Sequence, residues 1–240
     1  MKVLKFGGTS VANAVNINKV KEIVAATADE RIYVVVSALG GITDILLRAA
    51  DLAANRNEAY VELAREIESR HLETAKELIP ITSQSAVLSK IKSDYNSLET
   101  LLEGAYSIGE TTPRLLDKIV SYGELLSSFI ISEYFKKEGL DAKLKNGREL
   151  IRTDDTYGKA VVDIEKTIQL CNDYQAVTNE RVTVVPGFVS STDDGNATTL
   201  GRGGSDYSAA IIAAALKADV LEIWTDVSGM YTANVGPYFL

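Results

Sequence analysis

Two basic residues lie within glycine-rich segments of the sequence, where they could help to hold an anion. Lys5 precedes two glycines in KFGGTS, and Arg202 lies inside LGRGGSD; a third such segment, SALGGITD, has no basic residue. Each segment follows a predicted strand and precedes a predicted helix, where backbone N–H groups and the positive end of the helix dipole stabilise negative charge. Glycine is also common in such turns without a ligand, so one segment alone would be weak evidence. Three segments, two of them basic, favour an anion site.

The glycine pattern does not fit two common phosphate-binding motifs. The sequence has no G-x-x-x-x-G-K-[ST] motif, and GRGGSD does not satisfy the G-x-G-x-x-G pattern of dinucleotide-binding proteins. Glycines combined with lysine and arginine still suit a nucleotide polyphosphate. Phosphoryl transfer depends on positioning and on neutralising charge at the phosphoryl oxygens, and fixed cations and N–H donors supply both.

The elements around these segments are those of a parallel α/β protein. Residues 2–6 and the β-branched run 31–37 are predicted strands, each followed by a glycine-rich segment and a helix. We expect Ser10 to cap the first helix, which would run to about residue 28. Because loops at the carboxyl ends of parallel strands meet in one crevice, the glycine-rich segments should converge there.

The middle of the chain is predicted to be helical, and its last third returns to an alternating pattern. Residues 44–138 have apolar residues at helical spacing and almost no strand signal, which indicates a helical insertion or layer beside the sheet. The single histidine, His71, is expected on a solvated helix face, and Cys171 is expected to be a small core residue. The later predicted elements are a strand at 142–145, a helix at 163–172, a strand at 181–186, a hairpin turn at 193–196, a helix at 207–217 and a strand at 220–225.

Length and composition fit one domain with two lobes and argue against several classes of protein. The 240 residues carry a net charge of −8, which disfavours a general nucleic-acid binder because phosphate recognition needs a basic surface. No apolar run approaches the ~20 residues of a membrane span, and the first residues do not resemble a signal peptide. One cysteine permits no intrachain disulfide framework, which fits a reducing compartment. We therefore expect a cytoplasmic protein that binds neither membranes nor nucleic acids.

Five motifs resemble those of the aspartokinase family, in that family's order and at about its spacing. They are KFGGTSVAN at 5–13, VSALGGITD at 36–44, SYGELLS at 121–127, LGRGGSDYSAA at 200–210 and EIWTDVSGMYT at 222–232. The opening is particularly similar to the kinase part of the bifunctional aspartokinase–homoserine dehydrogenases. The resemblance implies the amino acid kinase fold, an α/β fold with a mainly parallel sheet of about eight strands between helical layers. Residues 1–240 would then be a catalytic domain, with an acid-binding lobe at about 1–180 and part of a nucleotide-binding lobe at about 181–240.

The resemblance also implies roles for individual residues. Lys5 would be catalytic by neutralising the transferring phosphoryl group, and Asp206 would orient Lys5 or the substrate amine. Glu124 would pair with the substrate ammonium and Arg202 with its α-carboxylate. The other substrate-binding positions would be Ser37, Thr43 and Ser205, and ATP would contact Lys5, Gly7, Gly8, Ser10, Thr225, Asp226 and Tyr231. No residue is assigned to a metal, because Mg²⁺ would be held mainly by the ATP phosphates.

Several of these residues have a purely structural alternative. Ser10 and Thr43 could be helix N-caps, which is a common use of Ser and Thr. Asp206 could likewise be a capping carboxylate at the start of its helix, and Glu124 a solvated helix residue. The small neighbours Gly123 and Ser127 nevertheless indicate that another part of the chain or a ligand comes close to Glu124.

The activity implied by the resemblance is ATP-dependent phosphorylation of the L-aspartate β-carboxylate to 4-phospho-L-aspartate, the first step toward lysine, threonine and methionine. The full-length protein would be a homo-oligomer. Two alternatives stay open: another acid kinase, acting on glutamate, acetylglutamate or carbamate, and a non-catalytic fragment that binds a nucleotide or an amino acid. The combination of SYGELLS with GRGGSDYSAA argues against the first alternative. The sequence ends in VGPYFL where the family usually continues with proline and a basic residue, so we expect residues 1–240 to bind ATP weakly and to turn over slowly.

Overall fold

A parallel sheet forms the centre of the molecule in a computed structural model that describes residues 1–27 and 30–225. The strands are β1 Lys2–Phe6, β2 Ile32–Val36, β3 Ala142–Leu144, β4 Val182–Pro186, β5 Val189–Ser191, β6 Ala197–Thr199 and β7 Val220–Trp224. The parallel sheet has the strand order β3-β4-β2-β1-β7, while β5 and β6 form a separate antiparallel hairpin. This arrangement confirms the predicted α/β class with a mainly parallel sheet. Of the roughly eight strands that the family resemblance implies, the described residues supply five in the sheet and two in the hairpin.

Helices cover both faces of the sheet. They are α1 Ala14–Ala26, α2 Ile42–Ala54, α3 Tyr60–Leu78, α4 Ile81–Ile108, α5 Pro113–Val120, α6 Tyr122–Lys137, α7 Ile164–Val177 and α8 Gly204–Ala215. The predicted helical block therefore exists and consists of α2 to α6. Among the residues that the structure describes, no helix is both long and apolar enough to cross a membrane.

The alternation of side chains along β1 separates two hydrophobic cores. Leu4 and Phe6 pack into the larger core with α1 to α6, whereas Val3 packs into the smaller core with α7 and α8. Successive residues of a strand point to opposite faces, so Lys5 lies on the same face as Val3, toward α8. Lys5 is thereby directed to α8, the helix that follows the third glycine-rich segment.

Two expected local features differ from the structure. The side chain of Asn13, not that of Ser10, caps α1 by accepting a hydrogen bond from the N–H of Asn16 at 3.0 Å. The third glycine-rich segment does follow a strand, but that strand is β6 of the hairpin and not a member of the parallel sheet. The segment reaches the crevice because the hairpin starts directly after β4, so its return strand comes back to the same edge.

His71 is buried, which contradicts the expectation of a solvated position. Its Nδ1 lies 2.7 Å from the carbonyl oxygen of Ile67, one turn earlier on α3, and its Nε2 has no hydrogen-bond partner among the described residues. Burial lowers the pKa of this imidazole to about 4, because the charged form loses its hydration. The prediction was based on the charged residues next to His71 in the sequence, but His71 itself lies on the face of α3 that packs in the core.

Cys171 is a buried core residue, as expected. Burial raises the pKa of its thiol to about 12. A reactive thiolate needs a lowered pKa and access to solvent, and Cys171 has neither.

Candidate functional site

A cleft of about 340 Å³ lies at the carboxyl ends of β1, β2 and β4. The chain leaves these strands at Gly7, Ser37 and Gly187, so three loops meet at one edge of the sheet. This is where ligands bind in open parallel sheets. The predicted site residues that line the cleft are Lys5, Gly8, Ser37, Thr43, Glu124, Arg202, Ser205 and Asp206. Residues far apart in the sequence are thus brought together as expected.

Lys5 forms an ion pair with Asp206 across the floor of the cleft. The ammonium nitrogen of Lys5 lies 2.7 Å from Oδ1 of Asp206, and the lysine side chain is 8% exposed while the aspartate side chain is 49% exposed. Asp206 lies in the first turn of α8, where the helix dipole also favours a negative charge. The N-cap of α8 is Gly203, so Asp206 is not the capping residue. The buried ammonium group of Lys5 thus has a carboxylate partner at the cleft.

The backbone N–H of Gly7, one of the residues for which the resemblance implies a contact with ATP, is already paired within the chain. It donates to the carbonyl oxygen of Trp224 at 3.1 Å and so extends the pairing of β1 with β7. The absence of a side chain at Gly7 makes space for Lys5, because a Cβ at this position would lie 3.2 Å from the Nζ of Lys5. Gly7 therefore leaves room for the lysine ammonium group.

The first two glycine-rich segments pack against each other through their backbones. A Cβ on Gly8 would lie 3.3 Å from the carbonyl oxygen of Ala38, and one on Gly40 would lie 3.3 Å from the carbonyl oxygen of Gly8. Arg70 of α3 donates to the carbonyl oxygen of Gly40 at 2.7 Å and ties the second segment to the helical layer. Sequence reasoning missed Arg70, because it is one of many charged residues on its helix.

Glu124 is a buried carboxyl group on the wall of the cleft, so the alternative of a solvated helix residue is wrong. Its residue is 4% exposed, and its Oε2 has no hydrogen-bond partner within the described ranges. Burial raises the pKa of Glu124 to about 8, although hydrogen bonding from the backbone N–H of Ala38 favours the ionised form. A buried acidic group with an unused oxygen at a cleft is suited to a cationic ligand group.

The small residues around Glu124 allow α6 to approach the second glycine-rich segment. A Cβ on Gly123 would lie 2.8 Å from the Cβ of Ala38. The hydroxyl of Ser127 donates to the carbonyl oxygen of Ser37 at 2.7 Å. The close approach expected from Gly123 and Ser127 is therefore confirmed, and it sets the position of Ser37 relative to Glu124.

Thr43 lies in the first turn of α2 and lines the cleft. The N-cap of that helix is Gly41, which has φ of 79°, and no side chain caps the helix. The capping alternative for Thr43 is therefore wrong. Asp44, which follows it, is exposed, lines the same cleft and was not singled out from the sequence.

The third glycine-rich segment brings Arg202, Ser205 and Phe188 to the cleft. Arg202 is exposed, and its guanidinium group makes no ion pair or hydrogen bond within residues 1–27 and 30–225. Ser205 packs directly on Gly187, where a Cβ would lie 2.8 Å from the serine Cβ. Phe188 has a φ of 66°, which is unusual for a residue other than glycine, and its N–H donates to the hydroxyl of Ser208 at 2.9 Å. Phe188 gave no signal in the sequence.

Ser10 and Thr225 lie apart from this cleft, in a second pocket of about 270 Å³. That pocket is mostly apolar and includes the stacked rings of Phe6 and Trp224, whose centroids are 6.0 Å apart. The hydroxyl of Ser10 donates to the carbonyl oxygen of Trp224 at 3.3 Å. The predicted nucleotide contacts are therefore divided between two neighbouring pockets. Asp226 and Tyr231 lie outside the residues that the structure describes.

The sequence matches the amino acid kinase family over residues 1–238. It is 36% identical over 234 residues to the lysine-sensitive aspartokinase 3 of Escherichia coli, a match that covers 97% of this chain and 50% of that protein. It is 33% identical over 236 residues to the bifunctional aspartokinase/homoserine dehydrogenase 1 of Arabidopsis thaliana, covering 97% of this chain and 26% of that one. The chain thus spans between a quarter and a half of the length of these relatives.

The fold is also similar to that of a solved aspartokinase. The crystal structure of Escherichia coli aspartokinase III in complex with aspartate and ADP has a TM-score of 0.87 to this chain at 34% sequence identity, covering 97% of this chain and 50% of that one. The family match spans nearly the whole sequence, and the sheet order and the cleft are those of a parallel α/β protein with a site at its carboxyl edge. The chain belongs to the amino acid kinase family.

Proposed function

We propose that the cleft transfers the γ-phosphoryl group of ATP to the β-carboxylate of L-aspartate and so forms 4-phospho-L-aspartate. The observation that carries this proposal is that one cleft holds the Lys5–Asp206 ion pair, the guanidinium group of Arg202 and the buried carboxyl group of Glu124. The relatives described above support it, since they are aspartokinases and one was crystallised with aspartate and ADP.

The amino acid would be held by the two charged groups on its α-carbon, the carboxylate and the ammonium group. Arg202 is an unpaired guanidinium group among the described residues and would take the α-carboxylate in a bidentate hydrogen bond. Glu124 would pair with the ammonium group through its unused Oε2. Ser37, Thr43 and Ser205 line the same cleft and would supply hydroxyl contacts.

Lys5 would neutralise the charge that develops on the phosphoryl oxygens during transfer. Its ammonium group is held at one place by Asp206 and by the space that Gly7 leaves, so it needs little reorganisation when the reaction occurs. The β-carboxylate of aspartate is ionised at neutral pH, because its pKa is near 4, and it needs no general base. It would attack the γ-phosphorus in line, and the bond from that phosphorus to the bridging oxygen would break to release ADP.

Mg²⁺ would accompany the nucleotide and neutralise phosphate charge. No group of three or more metal-ligating side chains occurs in the part of the chain that the structure describes. Of the three cleft carboxylates, Asp206 is paired with Lys5 and Glu124 is buried, which leaves the exposed Asp44 as the one that could reach such an ion. This donor set suits an ion held mainly by phosphates.

We further propose that the acid-binding lobe comprises about residues 1–180 and that residues after about 181 belong to the nucleotide side. Thr225, from the second of these parts, lines the second pocket together with Ser10 of the first. The protein would act in the cytoplasm, as a homo-oligomer, at the first step toward lysine, threonine and methionine. The resemblance to aspartokinases supports these proposals.

Binding of candidate acids tests the proposed substrate. Isothermal titration calorimetry should show that the chain binds L-aspartate at least about tenfold more tightly than L-glutamate or N-acetyl-L-glutamate, a difference of about 1.4 kcal/mol. The acetylated compound lacks the ammonium group that Glu124 would pair with, and carbamate lacks the α-carboxylate as well. Equal or tighter binding of N-acetyl-L-glutamate would favour a different acid kinase and overturn the assignment of Glu124.

A further inference from the structure

Asp117 lies outside the cleft, on α5, and its buried carboxylate joins two distant segments of the chain. It is 2% exposed. Its Oδ2 accepts hydrogen bonds from the N–H of Gly158 at 2.9 Å and from the N–H of Thr199 at 3.0 Å. Its Oδ1 accepts a hydrogen bond from the hydroxyl of Thr199 at 2.7 Å. Three donors therefore converge on one buried carboxylate, with two of them on the last residue of β6.

The residues that Asp117 contacts form the base of the loop that carries Arg202. The carbonyl oxygen of Thr199 accepts a hydrogen bond from the N–H of Ala160 at 2.9 Å, and the N–H of Leu200 donates to the carbonyl oxygen of Phe188 at 3.0 Å. Gly201 follows with a φ of 74°, and a Cβ there would lie 3.1 Å from the carbonyl oxygen of Gly158. The loop is thus fixed up to the residue that precedes Arg202.

The arrangement separates a fixed base from an exposed functional group. Arg202 has no partner of its own within the described residues, so the direction of its guanidinium group depends on the backbone from which it extends. That backbone is held by hydrogen bonds to a charged acceptor, which are stronger than those between neutral groups. Asparagine at position 117 would remove the charge of the acceptor and replace one acceptor oxygen by an NH₂ group, so that the hydroxyl of Thr199 could no longer donate to this side chain if the remaining oxygen kept both backbone N–H groups.

We propose that Asp117 is a positioning residue that holds the loop of residues 199–203 so that Arg202 points into the cleft to take the substrate α-carboxylate. The assignment of that ligand group rests on the proposed function. Asp117 touches no reacting atom, and it acts through Thr199 and Gly158. No other side chain in the described part of the chain forms hydrogen bonds to both Thr199 and Gly158.

A double-mutant cycle on L-aspartate binding tests whether Asp117 acts through Arg202. By calorimetry, Asp117→Asn alone should weaken binding about tenfold, because hydrogen bonds to a charged acceptor are lost. In an Arg202→Ala background the same change should have less than about a twofold further effect. The matched control Asp173→Asn, at an exposed position on α7, should change nothing. An equal loss in both backgrounds would mean a general structural effect and would overturn the proposal.

Variants of Thr199 test the same hydrogen bonds if Asp117→Asn does not fold. The two variants are Thr199→Val and Thr199→Ser. The serine variant keeps a hydroxyl that can donate to Oδ1 of Asp117, and its affinity for L-aspartate should lie within about twofold of that of the original chain. The valine variant has no hydroxyl and should bind L-aspartate several-fold more weakly. Equal binding by both variants would contradict the proposal.

Cleavage by trypsin after Arg202 reports on the loop without any ligand. Asp117→Asn should be cut there about tenfold faster, because the loop opens more often, and Asp173→Asn should be cut at the original rate. If Asp117→Asn is cut faster but the original chain does not bind L-aspartate, the role of Asp117 in holding the loop is supported and the proposed function is overturned. An unchanged cleavage rate together with unchanged L-aspartate binding would overturn the role of Asp117 alone.

Discussion

The ammonium nitrogen of Lys5 lies 2.7 Å from Oδ1 of Asp206, so the first strand of the sheet and the last described helix share one ion pair. The alternation along β1 directs Lys5 to that face, and the first turn of α8 supplies the carboxylate. The pair is only partly exposed, and it lies in the same cleft as Glu124 and Arg202. The buried ammonium group of Lys5, next to the first glycine-rich segment, is thereby held in place at the cleft.

Lys5→Ala should abolish most of the turnover while leaving substrate binding nearly intact. We expect the rate of L-aspartate-dependent ADP release to fall by roughly 100-fold or more, the usual effect of removing one group that stabilises transition-state charge. The affinity for L-aspartate should change by less than about threefold, because Glu124 and Arg202 hold it. Lys76→Ala, an exposed lysine on α3, is the matched control. Turnover within threefold of the original rate would show that Lys5 is not the phosphoryl-stabilising group.

Glu124→Gln should stabilise the folded chain at alkaline pH and remove L-aspartate binding. The pKa of Glu124 is about 8 in the folded chain, above its ordinary value of 4.5. The folded state therefore holds a proton that the unfolded state has lost, and the stability contributed by this group falls as pH rises from about 4.5 to about 8. Glutamine removes that loss, so urea unfolding at pH 8 should show a gain on the order of 2 to 4 kcal/mol and almost none at pH 4.5.

Glu66→Gln provides the control for that experiment, because Glu66 is exposed in the middle of α3. It should change neither stability nor binding at either pH. The account of Glu124 would be contradicted if its glutamine variant bound L-aspartate as tightly as the original chain.

Binding of L-aspartate should release a proton at neutral pH. Glu124 is mostly protonated below its pKa of about 8 and must ionise to pair with the substrate ammonium group. The affinity should therefore rise with pH, by up to about tenfold per pH unit well below that pKa, and level off above it. Calorimetry in buffers of different ionisation enthalpy should show close to one proton released at pH 7. Succinate has no ammonium group and should release none, and an equal release with both ligands would contradict the pairing.

His71 should make the fold sensitive to acid. Its pKa is lowered to about 4 in the folded chain, whereas the unfolded chain takes up the proton near the ordinary value of 6.5. The unfolded state thus binds more protons between these values, and stability is lost as pH falls from about 6.5 to about 4. The loss attributable to this group is on the order of 3 kcal/mol.

His71→Leu should remove this part of the pH dependence, since the chain has no other histidine. Urea unfolding at pH 7 and at pH 4.5 measures it in both proteins. If the variant lost as much stability on acidification as the original chain, the buried imidazole would not be the cause.

The sequence allowed the main features of the cleft to be predicted, because its motifs lie next to strand ends. KFGGTS and SALGGITD follow strands of the parallel sheet, and the crevice at their ends is a general property of such sheets. The roles of Lys5, Glu124 and Arg202 came from the family resemblance, and the structure brings these residues into one cleft.

What could not be predicted depends on contacts between distant parts of the chain. Whether the N–H of Gly7 is paired is decided by β7, more than two hundred residues away. The burial of His71 depends on how α3 packs in the helical layer, and its polar neighbours gave the opposite impression. Asp117 looked like an ordinary helix residue, since both of its partner segments follow it at a long distance. Local patterns cannot specify such pairs.

The proposed reaction is tested most directly by trapping its product. An acyl phosphate reacts with hydroxylamine to give a hydroxamate, which accumulates even when turnover is slow, so the chain incubated with ATP, Mg²⁺ and hydroxylamine can be assayed for it with L-aspartate, L-glutamate or N-acetyl-L-glutamate. We expect aspartate hydroxamate and ADP in equal amounts with L-aspartate and with neither of the other two acids, and we expect both products to be lost in Lys5→Ala. Release of ADP without hydroxamate, or hydroxamate from N-acetyl-L-glutamate instead of L-aspartate, would show that the cleft does not carry out the proposed reaction.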